Sequence, residues 1–282
     1  MFSMVLEQIF KTKDLLNKPH LSFYASFAFV SSAILIALVL QIKDSGMFIV
    51  ALSSLPAVVL FLRTIFAEEH FIEKKCSTIR VLDCYKPLIS VYFWFFIGTT
   101  LAFALWSSIL PQNLSNDMFS EQKLTYARMG ITGNLTANFS FNEILINNAK
   151  ILFMLMILSF LYGAGSIFLL IWNASVLGVF IGTSISSNMA MFSAIGPLAY
   201  GGAFIYGFLI SFLRILPHGM FEIGGFFTAS IAGGLLSVVV ENASEKKQYL
   251  GREYKKVYKD ILITFVFAMV LILLGAVVES SY

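Results

Sequence analysis

Glu222 stands inside an apolar run, residues 213–240, that reads LRILPHGMFEIGGFFTASIAGGLLSVVV. A carboxylate at membrane depth costs at least ~2.5 kcal/mol, so such a residue faces protein or water and has a partner. If Pro217 opens a helix, Glu222 lies about one turn in, where the positive end of the helix dipole favours its charge. His218 is four residues earlier on the same face, within side-chain reach, and Arg214 lies one turn further back. Ser230 shares the face of Glu222, and Asn173 and Ser175 are the polar neighbours expected from a second segment. Two roles are open to this set. It moves a proton or an ion, or it is a polar contact that fixes one helix on the next. Hydrolysis would need a nucleophile beside His218, and Ser175 and Ser230 are the candidates. The chain carries no His-Glu-x-x-His motif and no acidic cluster at metal spacing, so no catalytic residue, metal or cofactor is expected.

The elements that must position these residues are membrane helices. The chain is 58% apolar and only 12% charged, against about 25% charged in soluble domains. The net charge of +3 comes from basic blocks beside hydrophobic spans, which the positive-inside rule explains without a nucleic-acid partner. The lipid bilayer is the expected surrounding, and the cell membrane the expected location. Apolar runs long enough to cross it are read at residues 21–42, 47–66, 88–110, 141–171, 198–216, 217–240 and 261–278. The run 176–185 is too short, so the segment Asn173 to Asn188 is expected to dip in and return, with Asn173 or Ser175 as its cap. The fold class is therefore all-α: a polytopic transmembrane helix bundle of about seven spanning helices plus one short re-entrant segment.

This arrangement puts the basic stretches 63–87 and 241–259 in the cytoplasm with the amino terminus, and the carboxyl terminus outside. Residues 111–139 are then an external loop. Cys76 and Cys84, in the first basic stretch, are expected to be free thiols. Two patterns set helix contacts. Gly225, Ala229 and Gly233 recur every fourth residue, and Gly178 and Gly182 repeat the spacing, which allows close approach of helix backbones and permits a homo-oligomer. Ser140 and Glu143 form a capping box that starts a helix near Phe141. Residues 1–67, an amphipathic helix followed by a two-helix hairpin, form a separable unit from 68–282.

The stretches FNEILINNAKILFMLMILSFLYGAGSIFLLIWNASVLGVFIG and LPHGMFEIGGFFTASIAGG resemble the stage II sporulation protein M family of membrane proteins, in particular its archaeal branch. The resemblance rests on Asn147-Asn148, Gly163-Ala-Gly165, Trp172-Asn-Ala-Ser175 and Pro217-His-Gly219 with Glu222. It implies a multi-pass membrane protein that assembles with membrane or envelope partners, as members do with wall-remodelling proteins in spore formers. It implies no reaction. The expected function is a non-enzymatic scaffold or assembly factor with a polar intramembrane site at Glu222. The alternative is a proton- or ion-coupled transporter or channel using the same acid.

Overall fold

The structure, a computed structural model, describes residues 12–72, 86–128, 140–162, 166–192, 197–246 and 252–281. These residues are almost wholly helical, and the elements are numbered here in chain order. They are α1 (Thr12–Asn17), α2 (Leu21–Val39), α3 (Gly46–Ile72), α4 (Lys86–Ile109) and α5 (Gln112–Met118). Next come α6 (Ser120–Arg128), α7 (Phe141–Tyr162), α8 (Ser166–Phe192), α9 (Pro197–Lys246) and α10 (Arg252–Glu279). Seven of the described helices, α2, α3, α4 and α7 to α10, contain a stretch long and apolar enough to cross a membrane. In hydrocarbon a helix satisfies its own backbone hydrogen bonds, which is why apolar runs of this length take no other form. Cys76, Cys84 and most of the amino-terminal amphipathic stretch lie outside the described residues.

α4 is the centre of the bundle, because small residues let two neighbours come close along its length. At Gly98 an added Cβ would stand 2.2 Å from Ser26 Oγ and 2.4 Å from the Phe23 carbonyl, so α2 lies backbone to backbone on α4. Ser22 donates to the Val91 carbonyl (2.9 Å) and the Trp106 indole N–H to Ser31 Oγ (3.1 Å), which makes the two helices parallel. On the opposite flank Gly178 meets Thr100 and Phe103, Gly182 meets Ala104 and Ser107, and Ser186 donates to the Ser108 carbonyl (3.1 Å). α8 therefore also runs parallel to α4. Phe61 of α3 fills the gap beside Tyr92 and Phe95, at ring separations of 4.3 and 4.9 Å.

Three expectations are corrected here. First, residues 173–188 are not a re-entrant piece but the middle of α8, a helix of 27 residues. The polar residues that suggested a break bond to their own helix instead. Asn173 donates to the Leu169 carbonyl (2.9 Å), Ser175 to that of Trp172 (2.7 Å) and Asn188 to that of Ser184 (2.7 Å). Such back-bonding satisfies a polar side chain inside an apolar helix without interrupting it. Second, the helix that begins at Phe141 ends at Tyr162, not at Ile171. Third, the runs 198–216 and 217–240 are one helix, α9, of 50 residues, which at 1.5 Å per residue is about 75 Å long. It passes through Pro217 without starting there, so Glu222 lies far from the helix terminus and gains nothing from its dipole.

The stretch read as an external loop contains α5 and α6, which fold back against the bundle. Phe119, between them, packs its ring 6.0 Å from Phe103, six residues or about 9 Å before the end of α4. Ser115 donates to the Ser107 carbonyl (3.3 Å), Gln122 to Ser175 (3.3 Å), and Tyr126 stacks edge-on against Phe180. The α2–α3 turn, with Gln41 and Asp44 at positive φ, is clasped from the same side. Ser120 donates to Asp44 (2.8 Å), and the Met47 N–H, unpaired within the first turn of α3, donates to Glu121 (2.7 Å). A carboxylate there also meets the positive end of α3. Glu121→Ala is expected to lower stability by about 1 kcal/mol, as loss of a helix cap does, while Glu121→Gln keeps the acceptor and most of the stability. Thermal melting of the purified protein checks it.

Candidate functional site

Glu222 sits where α7, α9 and α10 converge, and the reason is a shared spacing. On α7 the buried Leu152 and Leu155 follow Asn148 by four and seven residues. On α9 the buried Phe226 and Ala229 follow Glu222 by the same intervals. On α10, which runs the other way, the buried Ala268, Ile272 and Ala276 lead up to Glu279. Residues so spaced share one helix face, so each helix contributes an apolar stripe with a polar residue one turn beyond it. The stripes of Leu152, Leu155, Phe226, Ala229, Ala268 and Ile272 pack as one core, and their polar ends are thereby brought together. Gly225 permits the approach of α10, since a Cβ there would stand 2.8 Å from Ile272 and 3.1 Å from the Ala268 carbonyl.

At the site the Asn148 side-chain N–H donates to Glu222 Oε1. Glu279, the last residue of α10, is in hydrogen-bond contact with the same carboxyl. Two carboxyl groups can be joined by a hydrogen bond only when one of them carries a proton. The group is half-buried at the end of the bundle where α7 begins and α10 ends. The start of α7 is fixed by the reciprocal cap that its sequence promised. The Ser140 N–H donates to Glu143 (2.9 Å) and the Glu143 N–H to Ser140 Oγ (3.4 Å). That start sets the register that brings Asn148 to Glu222. Chemically the arrangement can hold or release a proton, and mechanically it ties three helices together.

The other residues expected at this site are placed differently. Arg214 and His218 fall on α9, but their side chains are outside the described set. Ser230 is two turns along α9 from Glu222, fully buried, with no hydrogen-bond partner for its hydroxyl. Asn173 and Ser175 belong to α8 and do not meet Glu222. Ser175 donates to its own helix and accepts from Gln122, so its lone donor is already used. Lys123, on the same α6, donates to Asn116 (2.7 Å) and Ser115 (3.2 Å), and partial burial pulls its ammonium below the usual lysine range. Ala229 and Gly233 are buried on α9, while Gly178 and Gly182 face α4. Sequence reasoning missed Asn148 and Glu279 as partners. The signal available was the common interval from polar residue to apolar pair on α7 and α9.

Fold and site together define a polytopic all-α membrane protein with a polar contact at one end of its helix bundle. The model of the family described as Stage II sporulation protein M matches residues 90–281, and the chain belongs to that family. It is also similar to an uncharacterised protein of Methanocaldococcus jannaschii, 31% identical over 143 residues that cover 50% of this chain and 69% of the relative. No solved structure matches the chain. The match begins within α4, so α2 and α3 lie before the shared part.

Proposed function

We propose that the chain is a non-enzymatic membrane scaffold, an assembly factor that holds membrane or envelope proteins. The observation that carries this reading is the use made of Glu222: its carboxyl is taken up by Asn148 and Glu279, so the acid fastens three helices. Buried polar contacts of this kind specify one arrangement of helices among many that apolar packing alone would allow. Around the fastened core, α7 turns Phe153, Met154 and Ile157 outward and α10 turns Leu262, Val266, Leu273 and Val277 outward. Lipid or the helices of partners, a second copy included, cover such faces. An odd number of crossings puts the termini on opposite sides. With the amino terminus in the cytoplasm, the basic residues of 63–87 and 241–259 fall on that side, as the positive-inside rule requires.

A second reading is supported by the meeting of two carboxyls, Glu222 and Glu279: proton-coupled movement of a solute, with Glu222 as the group that loads and unloads. One experiment separates the two. Full-length protein in sealed vesicles with a pH gradient is compared with empty vesicles, and Glu222→Gln, which keeps an acceptor for Asn148, is run beside it. The scaffold predicts that both proteins hold the gradient as empty vesicles do, and that cross-linking in native membranes traps the chain in a larger assembly. Dissipation by the natural chain that Glu222→Gln abolishes would overturn the scaffold in favour of transport.

A further inference from the structure

α2 and α4 begin at one end of the bundle and run side by side, since Ser22 donates to the Val91 carbonyl. Each turns a stripe outward beside the seam between them. On α4 the stripe is Lys86, Trp94 and Leu105, and on α2 it is His20, Tyr24, Ala28 and Leu35, all exposed. Intervals of four, seven, eight and eleven residues keep each set on one helix face. Both stripes therefore carry the same order of chemistry along the seam: a polar nitrogen at the helix start, then a ring, then apolar side chains. The rings form one connected group across the two helices. Phe23 meets Tyr24 at 5.3 Å and Trp94 at 6.5 Å, both edge-on, and Phe93 meets Trp94 at 5.8 Å. Tyr24, Phe93 and Trp94 are 62%, 48% and 39% exposed, so the group faces out of the protein. Lys18, four residues before Ser22, adds a second exposed ammonium at this end, and no described carboxylate is bonded to Lys18 or Lys86.

We propose that the α2–α4 seam is a docking surface for an anionic phospholipid, its headgroup phosphate held by Lys18 and Lys86 and its acyl chain laid along the two apolar stripes. The order of groups is that of the lipid itself. Trp and Tyr rings, apolar in body and polar at the tip, sit at the boundary between headgroups and hydrocarbon. Trp94 lies eight residues past Lys86, about 12 Å along α4, so rings at that boundary place the ammonium among or just outside the headgroups. A lysine stem reaches across apolar surface while its charge stays with the phosphates. His20 brings a ring N–H to the same level. Deeper in, Ala28 leaves a shallow place between Tyr24 and Leu35 where a chain can lie against α2. Two ammonium groups without a described carboxylate favour a lipid of net negative charge over a zwitterionic one, whose own ammonium they repel. A partner helix would match the apolar part of the stripes but leave the lysines without a counter-charge. Lys18, His20 and Tyr24 precede the residues matched to the family, so the surface arises where the first hairpin joins the shared part. It is separate from Glu222 and does not rest on either reading of that acid.

The test uses full-length protein in vesicles of phosphatidylcholine and phosphatidylglycerol, one of the two carrying brominated acyl chains. Bromine quenches a neighbouring indole, so the fluorescence of Trp94, read in a Trp106→Phe, Trp172→Phe background, reports which lipid lies against it. Phosphatidylglycerol is expected to win this competition well beyond its share of the bilayer. Lys18→Gln and Lys86→Gln should each reduce the preference about fivefold, as loss of one basic group near a charged membrane surface does. Lys255→Gln with Lys259→Gln, on α10, should leave it unchanged. If the background variant does not fold, native mass spectrometry of the natural chain and the lysine variants with the same two lipids gives the ratio. A benzophenone amino acid at position 24 should cross-link to lipid in native membranes. Equal quenching by the two lipids, a preference that survives both lysine changes, or a cross-link to a second copy or another protein in place of lipid would each overturn the assignment.

Discussion

Gly182→Ala is expected to lower the stability of the bundle more than any other single methyl addition along α8. The new Cβ would stand 2.0 Å from Ser107 Oγ and 2.4 Å from the Ala104 carbonyl. The hydroxyl can rotate away, but the carbonyl is backbone, so α4 and α8 must separate. Gly178→Ala meets the same obstacle one turn earlier, 2.5 Å from the Thr100 carbonyl and 2.7 Å from Phe103 Cβ. Overpacking of this kind costs about 1–3 kcal/mol, and the two changes share one interface, so the double variant is not expected to equal their sum. The contrast is Gly201→Ala or Gly202→Ala on α9, where an added Cβ meets nothing within 4 Å. In a helix that change stabilises by about 0.5–1 kcal/mol, because alanine loses less backbone freedom than glycine on folding. Thermal melting by size-exclusion chromatography in detergent reads all four. A Gly182→Ala protein that melts with the natural chain would mean that α4 and α8 are not in backbone contact.

What could be read from the chain, and what could not, divides by the range of the interaction. The membrane bundle was legible because long apolar runs admit only helices in lipid. The cap at Ser140 and Glu143 was legible because both partners lie within one turn. The Gly178 and Gly182 spacing showed a face made for close contact, although nothing in it named α4 as the neighbour. Asn173 and Ser175 misled because the same side chains that cap a helix start can also bond back into a helix that continues, and the sequence is identical in the two cases. Pro217 misled in the same way, since a proline suited to a first turn is also tolerated within a membrane helix whose neighbours satisfy the freed carbonyl. Glu222 was found because an acid in an apolar run stands out. Its partners were not, because Asn148 lies 74 residues away and reaches it only once α7 and α9 are side by side.

Asn148→Leu is expected to have the second large effect, and its size decides whether the Glu222 contact is a fastener. Leucine keeps the branched outline of Asn148, which is only 6% exposed, with bulkier methyl tips, and removes the donor to Glu222. The half-buried carboxyl is then left facing Glu279 without the amide that helped to hold it. Loss of a hydrogen bond to a charged or proton-sharing group costs about 1.5–3 kcal/mol. For a chain of this size that is a fall in melting temperature of roughly 3–12 °C. Glu222→Gln should cost less, because its amide carbonyl accepts from Asn148 and its N–H donates to Glu279. The double variant Asn148→Leu with Glu222→Leu should recover part of the loss, since neither member of the pair is then left facing an absent partner, although Glu279 loses its contact with Glu222. The cycle of natural chain, two single leucine variants and the double therefore isolates the pair, and a coupling of about 1–3 kcal/mol is expected. If Asn148→Leu melts with the natural chain and the cycle shows no coupling, the three helices are held by their apolar stripes alone. Glu222 would then be released from its structural duty, and the case for the acid as a moving proton's carrier would strengthen accordingly.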